Sequence, residues 1–371
     1  MKLPLHLFAV AALAACAPQS LQTAEPPRAA LQSQVKAAVA AGSDPIAIYV
    51  TGAGVERPYG AAAGSADPAT GRALTPETPL RVASNTKTFV AATVLRLWEQ
   101  GRINLDSPIE PLLDPKLAAI LKADGYRTDQ ITVRHLLSHS GGLYDHGSDP
   151  RYVKTVMAQP DHRWTREEQI RLATEYADPQ SPPGTAFRYS DDGYILLGDI
   201  VERITGKSLA RAVRDELRLD RLGLSSTWWE IFEQPPRRSE PRAKQFMDGQ
   251  DVTNLHASLD LYGGGGLVMS PRDLATFTAA LFENRIFQRP QTLGEMLWKG
   301  PHKGAEKYRL GIFVEEAGEE QFYSHSGFWG TITYYNPQRR IAVAGATTNP
   351  ASYGKMLALV KQMVGMPKAK P

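Results

Sequence analysis

Strand-like segments lie at both ends of this chain, with a long stretch of helix and loop patterns between them. Near the N-terminus they are residues 45–54 (PIAIYVTGAG) and 57–67 (RPYGAAAGSAD). Near the C-terminus four more follow one another, separated by turn residues: YRLGIFVEEA, EEQFYSHSG, TITYYNP and RIAVAGATTN. We therefore expect one sheet built from both chain ends, comprising residues 30–87 and 256–365. Residues 88–255 are expected to form an inserted, mostly helical region.

Composition excludes two broad classes of protein. The chain has 371 residues, of which 42% are hydrophobic, enough for a large core in one big or two intimate domains. Charged residues make up 22%, and no long low-complexity run indicates a mostly disordered protein. The formal net charge is only +3, and Lys and Arg are scattered along the chain. A nucleic-acid partner is therefore not expected.

The N-terminus has the pattern of an export signal. Lys2 precedes a short apolar stretch, and small residues stand just before Cys16. The sequence LAAC (residues 13–16) resembles the lipobox of bacterial lipoproteins, in which cleavage before the cysteine is followed by its lipid modification. Cys16 is the only cysteine of the chain, which fits this interpretation. The alternative is a plain signal peptide that happens to contain a cysteine.

These features predict a signal peptide over residues 1–15 and a small, polar, Pro-containing tether over residues 16–29. Lipid on Cys16 would anchor the protein to a membrane. The predicted location is the bacterial cell envelope, at the outer membrane facing the periplasm.

The pattern Ser-x-x-Lys occurs three times, at Ser33, Ser84 and Ser352. The first and third lie in predicted helices that flank the expected domain, where such residues cap helices or face solvent. Ser84 instead falls where an extended segment gives way to a helix that ends at Gly101. Its hydroxyl can therefore stand at a helix N-terminus, where free N–H groups favour developing negative charge.

Ser84 and Lys87 have the spacing of a nucleophile and its base. Lys87 is three residues further on and projects from nearly the same helix face. A serine becomes a nucleophile only when a neighbour takes its proton, and an amine does so only if its pKa is lowered. The alternative is an ordinary N-cap serine followed by a solvated lysine.

Two later segments favour the interpretation of Ser84 and Lys87 as a nucleophile and its base. Tyr189 and Asp191 stand just before a clear helix over residues 194–205, and His325, Ser326 and Gly327 lie on a predicted strand. The ordered elements Ser84–Lys87, Tyr189–Asp191 and His325–Gly327 resemble the Ser-x-x-Lys, Tyr-x-Asn and Lys/His-x-Gly elements of the penicillin-recognising serine hydrolases. That superfamily comprises class C β-lactamases, DD-peptidases and family VIII esterases. Connecting stretches such as ITVRHLLSHSGGL also resemble the family, so the resemblance covers roughly residues 30–365.

The resemblance implies a β-lactamase/transpeptidase-like α/β (α+β) fold, with an antiparallel sheet flanked by helices. It also implies that Ser84 attacks a carbonyl and forms an acyl-enzyme. Lys87 and Tyr189 would share proton transfer, with Tyr189 acting as a phenolate or as a relay to the leaving group. The backbone N–H groups of Ser84 and Phe328 would form the oxyanion hole.

The remaining residues of the strand motif would contact the substrate. By the same resemblance, Gly327 lets the substrate backbone approach the strand, and His325 orients or protonates a group near the leaving group or the substrate carboxylate. Ser326 and Trp329 are expected at the binding surface. Trp228, Trp229 and Phe328 are further candidates for the pocket, with core or rim packing as the alternative.

Asp191 departs from the family pattern, which has asparagine at this position. An amide can donate a hydrogen bond to a substrate carbonyl, whereas an ionised carboxylate only accepts. Asp191 or Asp192 could simply cap the following helix. Alternatively, Asp191 pairs with Lys87 or with a cationic substrate amine. Pairing would hold Lys87 protonated and shift the role of base to Tyr189.

Other motifs are less informative. His135 and His139 have the i, i+4 spacing of metal ligands, but no acidic third ligand is suitably spaced, so we interpret them as structural. The run of four glycines over 263–266 has no following Lys-Ser/Thr and indicates close backbone packing, not a phosphate loop. No serine lies in a Gly-x-Ser-x-Gly elbow, which argues against an α/β-hydrolase.

The sequence thus predicts a cell-envelope serine hydrolase that needs no metal or organic cofactor. A D-alanyl-D-alanine carboxypeptidase or D-amino-acid peptidase fits the predicted location, and an esterase or weak β-lactamase fits nearly as well. The expected substrate is accordingly a small peptide, ester or β-lactam. A non-catalytic lipoprotein that binds peptidoglycan or a partner is the competing hypothesis, but it gives no reason to retain Ser84, Lys87, Tyr189 and His325 together.

Overall fold

A computed structural model of the protein describes residues 27–367. The predicted signal peptide, Cys16 and most of the predicted tether lie outside the described residues. Residues 27–29, which we expected to belong to the tether, instead form the first turn of a helix that begins at Pro27. Proline suits a first helical position, because its fixed φ is helical and its missing N–H would have no partner there.

One six-stranded sheet contains all of the long strands. The strands of the protein, in chain order, are β1 (Ile46–Thr51), β2 (Tyr59–Ala63), β3 (Ser65–Asp67), β4 (Arg72–Ala73), β5 (Leu80–Arg81), β6 (Thr227–Trp229), β7 (Phe246–Met247), β8 (Gln250–Asp251), β9 (Leu267–Met269), β10 (Phe313–Ala317), β11 (Glu320–Gly327), β12 (Thr331–Asn336) and β13 (Ile341–Thr347). The order in the large sheet is β10-β11-β12-β13-β1-β2, and every neighbouring pair is antiparallel. The first and last segments of the chain therefore meet at the β1–β13 pair, as the sequence predicts.

The helices are α1 (Pro27–Ala40), α2 (Thr86–Glu99), α3 (Pro115–Ala123), α4 (Val133–Leu137), α5 (Pro150–Ala158), α6 (Arg166–Tyr176), α7 (Asp191–Thr205), α8 (Leu209–Glu216), α9 (Pro271–Phe282), α10 (Pro290–Met296) and α11 (Tyr353–Met363). Among the described residues, α3 to α8 all fall between 88 and 255, in the region expected to be helical. None of the helices of residues 27–367 combines the length and the apolar character that crossing a bilayer requires.

The sheet has helices on both faces. On one face, α1 and α11 bury Leu31, Val35, Met356 and Val360 against strand residues such as Ile48. On the other face, α9 packs on β1 and β13 and joins the larger core that contains α2, α7 and α8. Strands buried on both sides read as nearly continuous apolar runs, which explains the composition of β13 (IAVAGAT).

A second, small sheet connects the helical region to the rest of the protein. Its order is β5-β9-β6, with Leu80 paired to Met269 and Thr227 paired to the same Met269. Strand β6 comes from the region that we expected to be a helical insertion, so this region also contributes a strand. Strand β5 leads directly to Ser84, which places the nucleophile candidate beside this sheet.

The other two Ser-x-x-Lys matches lie far from any comparable arrangement. Ser33 is inside α1, and Ser352 ends a short 3-10 turn before α11. The Ser352 hydroxyl donates to Asp44 over 2.6 Å, so its partner is a carboxylate rather than Lys355.

Candidate active site

Ser84 lies in a short 3-10 turn (Ala83–Asn85) between β5 and α2. This is the strand-to-helix position that the sequence predicts. Ala83, immediately before Ser84, has a φ of 45°, which is unusual for a residue with a side chain. Such strain persists only where the surroundings hold it, and it is common at functional sites.

The turn is held by contacts to the Val82 carbonyl. This oxygen accepts hydrogen bonds from Asn85 Nδ2 at 3.0 Å and from Thr331 Oγ1 at 3.1 Å. Asn85 Nδ2 is also 2.9 Å from Thr331 Oγ1, which joins the turn to β12. At Gly327 a Cβ atom would lie 2.1 Å from the Val82 oxygen. We expected Gly327 to let the substrate backbone approach β11. In the structure, the absence of a side chain at Gly327 also allows the turn that carries Ser84 to pack against β11.

Lys87 is fully buried and uses all three of its N–H donors. Its Nζ donates to Ser84 Oγ at 3.0 Å, to Asp191 Oδ1 at 2.5 Å and to the Gly264 carbonyl at 2.7 Å. Ser84 and Asp191 are therefore connected through one ammonium group. The local i, i+3 spacing brings Ser84 and Lys87 together, whereas Asp191 comes from the start of α7.

Charge pairing dominates the protonation of Lys87 and Asp191. Burial alone lowers the pKa of a lysine, but the Asp191 carboxylate outweighs burial and holds the pKa of Lys87 above its ordinary value. Burial alone raises the pKa of Asp191, and the Lys87 ammonium outweighs it and lowers that pKa. Near neutral pH the pair is therefore an ammonium and a carboxylate.

Asp191, the first residue of α7, does not cap this helix. We considered that Asp191 or Asp192 caps this helix, but Ser190 does so, with its Oγ accepting from the Asp192 N–H at 3.1 Å. Asp192 is instead buried against His146, whose Nδ1 lies 2.9 Å from the carboxylate. Of the alternatives for Asp191, the structure contains the pairing with Lys87.

Tyr189 faces the same cavity as Ser84. Its ring centroid is 5.1 Å from Lys87 Nζ, and its ring stacks on Phe313 at 6.0 Å. Burial raises the pKa of the Tyr189 phenol, and the Lys87 charge only partly offsets this, so the pKa stays above its ordinary value. In the resting site Tyr189 is a neutral phenol rather than a phenolate.

His325 lies behind the cavity wall, with both ring nitrogens engaged. Its Nδ1 is 2.9 Å from the Ser326 carbonyl and must donate to it. Its Nε2 therefore accepts from the Tyr308 hydroxyl at 3.0 Å. Burial, reinforced by the Lys87 charge, lowers the pKa of His325 to about 3. His325 is thus a neutral residue that positions Tyr308 and β11, and the direct substrate contact that we expected is not formed by this geometry.

The two histidines with metal-like spacing have separate structural tasks. His135 forms a capping box with Thr132 at the start of α4. His139 accepts the Ser190 N–H at 3.2 Å and packs its ring 4.3 Å from Tyr189. Within residues 27–367, no group of three His, Cys, Asp or Glu side chains is arranged to hold a metal ion.

The predicted oxyanion donors stand at the junction of the turn and β11. Among residues 27–367, the backbone N–H groups of Ser84 and Phe328 have no hydrogen-bond acceptor, so both are free for a substrate oxygen. Phe328 is 53% exposed and lines the cavity together with Ser326 and the buried Trp329. Trp228 and Trp229, the other tryptophans considered for the pocket, are buried in β6 and do not line it.

The cavity beside Ser84 has a volume of about 340 Å³. One wall is apolar and comes from α5, with Tyr152, Val153, Val156 and Met157, and from the segment between β8 and β9, with Leu255 and Leu259. Near Ser84 the wall is acidic, with Asp145, Asp191 and Asp260. Of residues 27–367, no lysine, arginine or histidine lines this cavity.

The four glycines over 263–266 surround the acidic part of the site. A Cβ atom on Gly265 would lie 1.9 Å from Asp260 Oδ2, and one on Gly264 would lie 3.3 Å from Asp260 Oδ1 and 3.4 Å from the Asp191 Cβ. Gly263 and Gly266 have φ values of 130° and 117°, which residues with side chains rarely adopt. The four glycines therefore allow close backbone packing, as the sequence predicts. The Gly264 carbonyl also accepts a hydrogen bond from Lys87.

Several residues of the site have no recognisable signal in the sequence. Asp145 stands in a loop and Asp260 ends a short 3-10 turn, both without a motif, while Tyr308 precedes β10 and Thr331 begins β12. Only the tertiary structure brings them to Ser84 and His325. The pattern GGGG close to Asp260 is the one local sign that a backbone segment passes tightly by the site.

A serine hydroxyl bonded to a buried lysine, free N–H donors beside it and a tyrosine facing the same cavity together define a serine hydrolase site of the acyl-transfer type. The chain matches the Beta-lactamase family over residues 31–360. It therefore belongs to that family, within the superfamily of β-lactamases and penicillin-binding proteins.

Similar proteins are hydrolases of several kinds. The esterase EstB of Burkholderia gladioli is 33% identical over 207 residues, which are 52% of this chain and 50% of the esterase. A D-stereospecific amidohydrolase from Streptomyces sp. superposes with a TM-score of 0.73 at 25% identity, covering 89% of this chain and 98% of that one. The D-amino acid amidase from Ochrobactrum anthropi SV3, at 24% identity and a TM-score of 0.74 over 91% of this chain and 98% of that one, shares the fold. The chain spans about half the length of curated relatives such as EstB.

Proposed function

We propose that this protein hydrolyses an amide or ester bond of small D-amino-acid derivatives through an acyl-enzyme on Ser84. The observation that carries the proposal is the hydrogen-bonded chain Ser84–Lys87–Asp191, which opens on a cavity with an apolar wall. The D-stereospecific amidohydrolase from Streptomyces sp. supports the choice of substrate class.

The Asp191 carboxylate is the proton acceptor of this mechanism. In the resting site the Lys87 ammonium has no lone pair, and the neutral Tyr189 phenol is too weak a base to receive the Ser84 proton. Asp191 is ionised and bonded to the same ammonium. The Ser84 proton passes to Lys87 Nζ as Lys87 passes one of its own to Asp191 Oδ1. The ammonium is thereby restored and the Ser84 oxygen becomes nucleophilic.

Acylation and deacylation each use this proton path twice, first towards Asp191 and then away from it. Ser84 Oγ bonds to the substrate carbonyl carbon, and the carbonyl oxygen takes up negative charge beside the N–H groups of Ser84 and Phe328. The proton held by Asp191 returns through Lys87 and the Tyr189 hydroxyl to the leaving nitrogen or oxygen, and that bond breaks. Water then attacks the acyl-enzyme and gives a proton to Asp191 by the same path. Ser84 finally regains a proton as the acid leaves.

The charge of the cavity argues against a substrate with a free carboxylate next to the reacting bond. In the described part of the chain, three aspartates and no basic residue line the cavity, and the neutral His325 is hydrogen-bonded through both ring nitrogens. A carboxylate placed there would meet like charges without a partner. This disfavours a D-alanyl-D-alanine carboxypeptidase and a β-lactamase relative to an amidase or esterase.

An esterase is the second candidate. The apolar wall from α5 suits an acyl chain or an aromatic group, and the esterase EstB is similar to half of this chain. An ester has a better leaving group than an amide, so the same residues suffice for both reactions. The two candidates differ in substrate and not in mechanism.

The proposed place of action is the bacterial cell envelope. The support is the N-terminal sequence, in which LAAC resembles a lipobox and Cys16 is the sole cysteine. A lipid on Cys16 would hold the domain at the periplasmic face of the outer membrane. Globomycin-sensitive maturation, or mass spectrometry of the mature N-terminus, tests this part.

The function is tested by adding D-phenylalaninamide, L-phenylalaninamide, p-nitrophenyl butyrate and a fluorescent penicillin to the protein and to Ser84→Ala. We expect turnover of the D-amide and of the ester, with an acyl adduct on Ser84 detected by mass spectrometry. Ester turnover alone would favour the esterase. Stable penicillin labelling of Ser84 would favour the carboxypeptidase. If no compound is turned over and none forms an adduct, the proposed hydrolase is contradicted and the non-catalytic binding protein is favoured.

A further inference from the structure

Three carboxylates form one continuous patch around the start of α7. Asp145 Oδ1 accepts the Asp191 N–H at 2.9 Å, and Asp191 and Asp260 flank Gly264 from two sides. All three line the cavity that contains Ser84. The patch therefore borders the place where a substrate carbonyl must lie.

The three carboxylates do not have the same partners. Asp191 is paired with Lys87, and Asp145 accepts one backbone hydrogen bond. Within residues 27–367 the Asp260 carboxylate has neither a hydrogen-bond donor nor a cation in contact with it, although Asp260 is partly buried and lines two cavities. A carboxylate in such surroundings costs stability unless something pairs with it.

The charges of the described residues do not supply that pair. The three N–H groups of the Lys87 ammonium donate to Ser84, Asp191 and Gly264. Of the described residues, no lysine, arginine or histidine lines the cavity. His146 lies behind the patch, bonded to Asp192. The three aspartates are also not grouped as a metal site. A cation that pairs with Asp260 must therefore come through the cavity.

We propose that Asp260, supported by Asp145 on the other side of Asp191, binds the cationic amino group of the substrate. The inference rests on the proposed function and makes it more specific. The substrate is an amide or ester of an amino acid whose α-amine is free, and N-acylated analogues are poor substrates. Asp260 is a specificity-determining residue in this scheme and takes no part in the transfer of the Ser84 proton.

This assignment gives each part of the cavity one group of the substrate. The α-amine lies at Asp260, the carbonyl carbon at Ser84, and the side chain against Val153, Val156 and Met157 of α5. Three attachment points around one tetrahedral carbon distinguish its two configurations, because only one configuration satisfies all three. An amine subsite therefore also provides a physical basis for stereospecificity.

The test compares two chromogenic substrates that differ only in the amine, D-phenylalanine p-nitroanilide and 3-phenylpropanoyl p-nitroanilide. The measured quantity is the ratio of their kcat/KM values. Asp260→Asn keeps the side-chain shape and removes the charge, and we expect the ratio to fall by about 10-fold or more. Asp129→Asn makes the same change at a side chain that is 58% exposed and paired only with Arg127, and it should leave the ratio unchanged. An unchanged ratio in Asp260→Asn overturns the proposal.

A binding measurement separates failure of this proposal from failure of the proposed function. In the Ser84→Ala background, calorimetry with D-phenylalaninamide and with 3-phenylpropanamide measures the preference for the amine without turnover. We expect at least 10-fold tighter binding of the amine-bearing compound, and loss of that preference when Asp260→Asn is added. Equal affinities for the two compounds contradict the amine subsite, even if the enzyme hydrolyses both. A preference for the amine without any turnover supports the subsite while contradicting the hydrolase.

Discussion

Lys87 donates to Asp191 over 2.5 Å and to Ser84 over 3.0 Å, so one buried ammonium lies between a carboxylate and the nucleophile. The Tyr-x-Asn element that this chain resembles has an asparagine at the position of Asp191. In the proposed mechanism, Asp191 is the base at the end of a proton path that begins at Ser84. The chemistry of the site depends on which group of the three finally holds the serine proton.

Replacing Asp191 by asparagine changes the pH dependence of kcat in a direction that identifies the base. If Asp191 accepts the proton, the wild-type acidic limb lies in the acid range, because Lys87 lowers the pKa of Asp191. In Asp191→Asn the base becomes Lys87, so the limb should move to higher pH by roughly two units or more. The measurement is kcat for p-nitrophenyl butyrate from pH 4 to 10. A shift of the limb to lower pH would identify Lys87 as the wild-type base.

The same substitution weakens the fold. Lys87 is fully buried, and removal of its charged partner leaves an ammonium that must either stay unpaired or lose its proton. We expect the free energy of unfolding to fall by about 3 kcal/mol near neutral pH. Denaturant titration measures this change, and Asp129→Asn, which removes an exposed carboxylate, serves as the control.

Removal of the Tyr189 hydroxyl should slow the reaction without weakening binding. The ring packs against His139 and Phe313, and phenylalanine keeps these contacts. Because the hydroxyl relays a proton to the leaving group, Tyr189→Phe is expected to lower kcat by about 100-fold with little change in KM. The loss should be larger for an amide than for a p-nitrophenyl ester, whose leaving group needs no proton. Equal losses on both substrates would contradict a role for Tyr189 in leaving-group protonation.

Gly327 and Gly294 form a matched pair for testing the attachment of the nucleophile turn. A methyl group on Gly327 would lie 2.1 Å from the Val82 oxygen, whereas one on Gly294, in α10, meets nothing within 4 Å. Gly327→Ala should cost about 3 kcal/mol of stability and most of the activity, because the turn must move. Gly294→Ala should be neutral or stabilising by about 0.5 kcal/mol, since alanine favours helix. Thermal unfolding and ester turnover of both variants test this pair.

Asp260 should make the fold less stable as pH rises. Burial, and then the charge of Asp191, raises the pKa of Asp260 to about 7, well above that of an aspartate in an unfolded chain. The folded state therefore holds the proton more tightly, and the stability contributed by the neutral form is lost between about pH 4 and pH 7. Asparagine cannot ionise, so Asp260→Asn should raise Tm at pH 8 by about 2 °C or more relative to wild type.

The gain in Tm should shrink at pH 5, where the wild-type carboxyl of Asp260 is largely protonated in the folded state. Differential scanning calorimetry at both values measures the difference. A gain that is equal at the two pH values would show that ionisation of Asp260 is not its cause. Saturation with an amine-bearing ligand should remove the advantage of the variant, because the ligand supplies the missing cation.

The main residues of the site could be found from the sequence because their signals are local. Ser84 and Lys87 are one helical turn apart, and the strand-to-helix position of Ser84 distinguishes it from Ser33 and Ser352. The sheet formed by both chain ends was also predictable, since alternation and turn residues mark β10 to β13. The division into a sheet domain and a helical insertion stays a prediction, and β6 shows that the insertion also supplies a strand.

What the sequence did not indicate depends on contacts between distant residues. Local rules favour an aspartate as a helix cap, yet Asp191 bonds to a lysine 104 residues away, and Ser190 takes the cap. His325 was expected to face the substrate. Instead its ring lies behind the cavity wall, where its Nε2 accepts a hydrogen bond from the Tyr308 hydroxyl. Asp260 has no motif at all. Its importance is visible only because no described residue neutralises it.

The Val82 carbonyl joins the start of α2 to the large sheet at the nucleophile. It receives Asn85 from the start of α2 and Thr331 from the large sheet, and Gly327 closes against it. A molecule in which either α2 or this edge of the large sheet has come loose therefore has no properly placed Ser84. Hydrolysis and cooperative unfolding both depend on the contacts of the Val82 oxygen. The initial rate of hydrolysis is therefore proportional to the fraction of intact molecules in a population. Directed evolution that selects for turnover would, in the same step, select against partly opened forms.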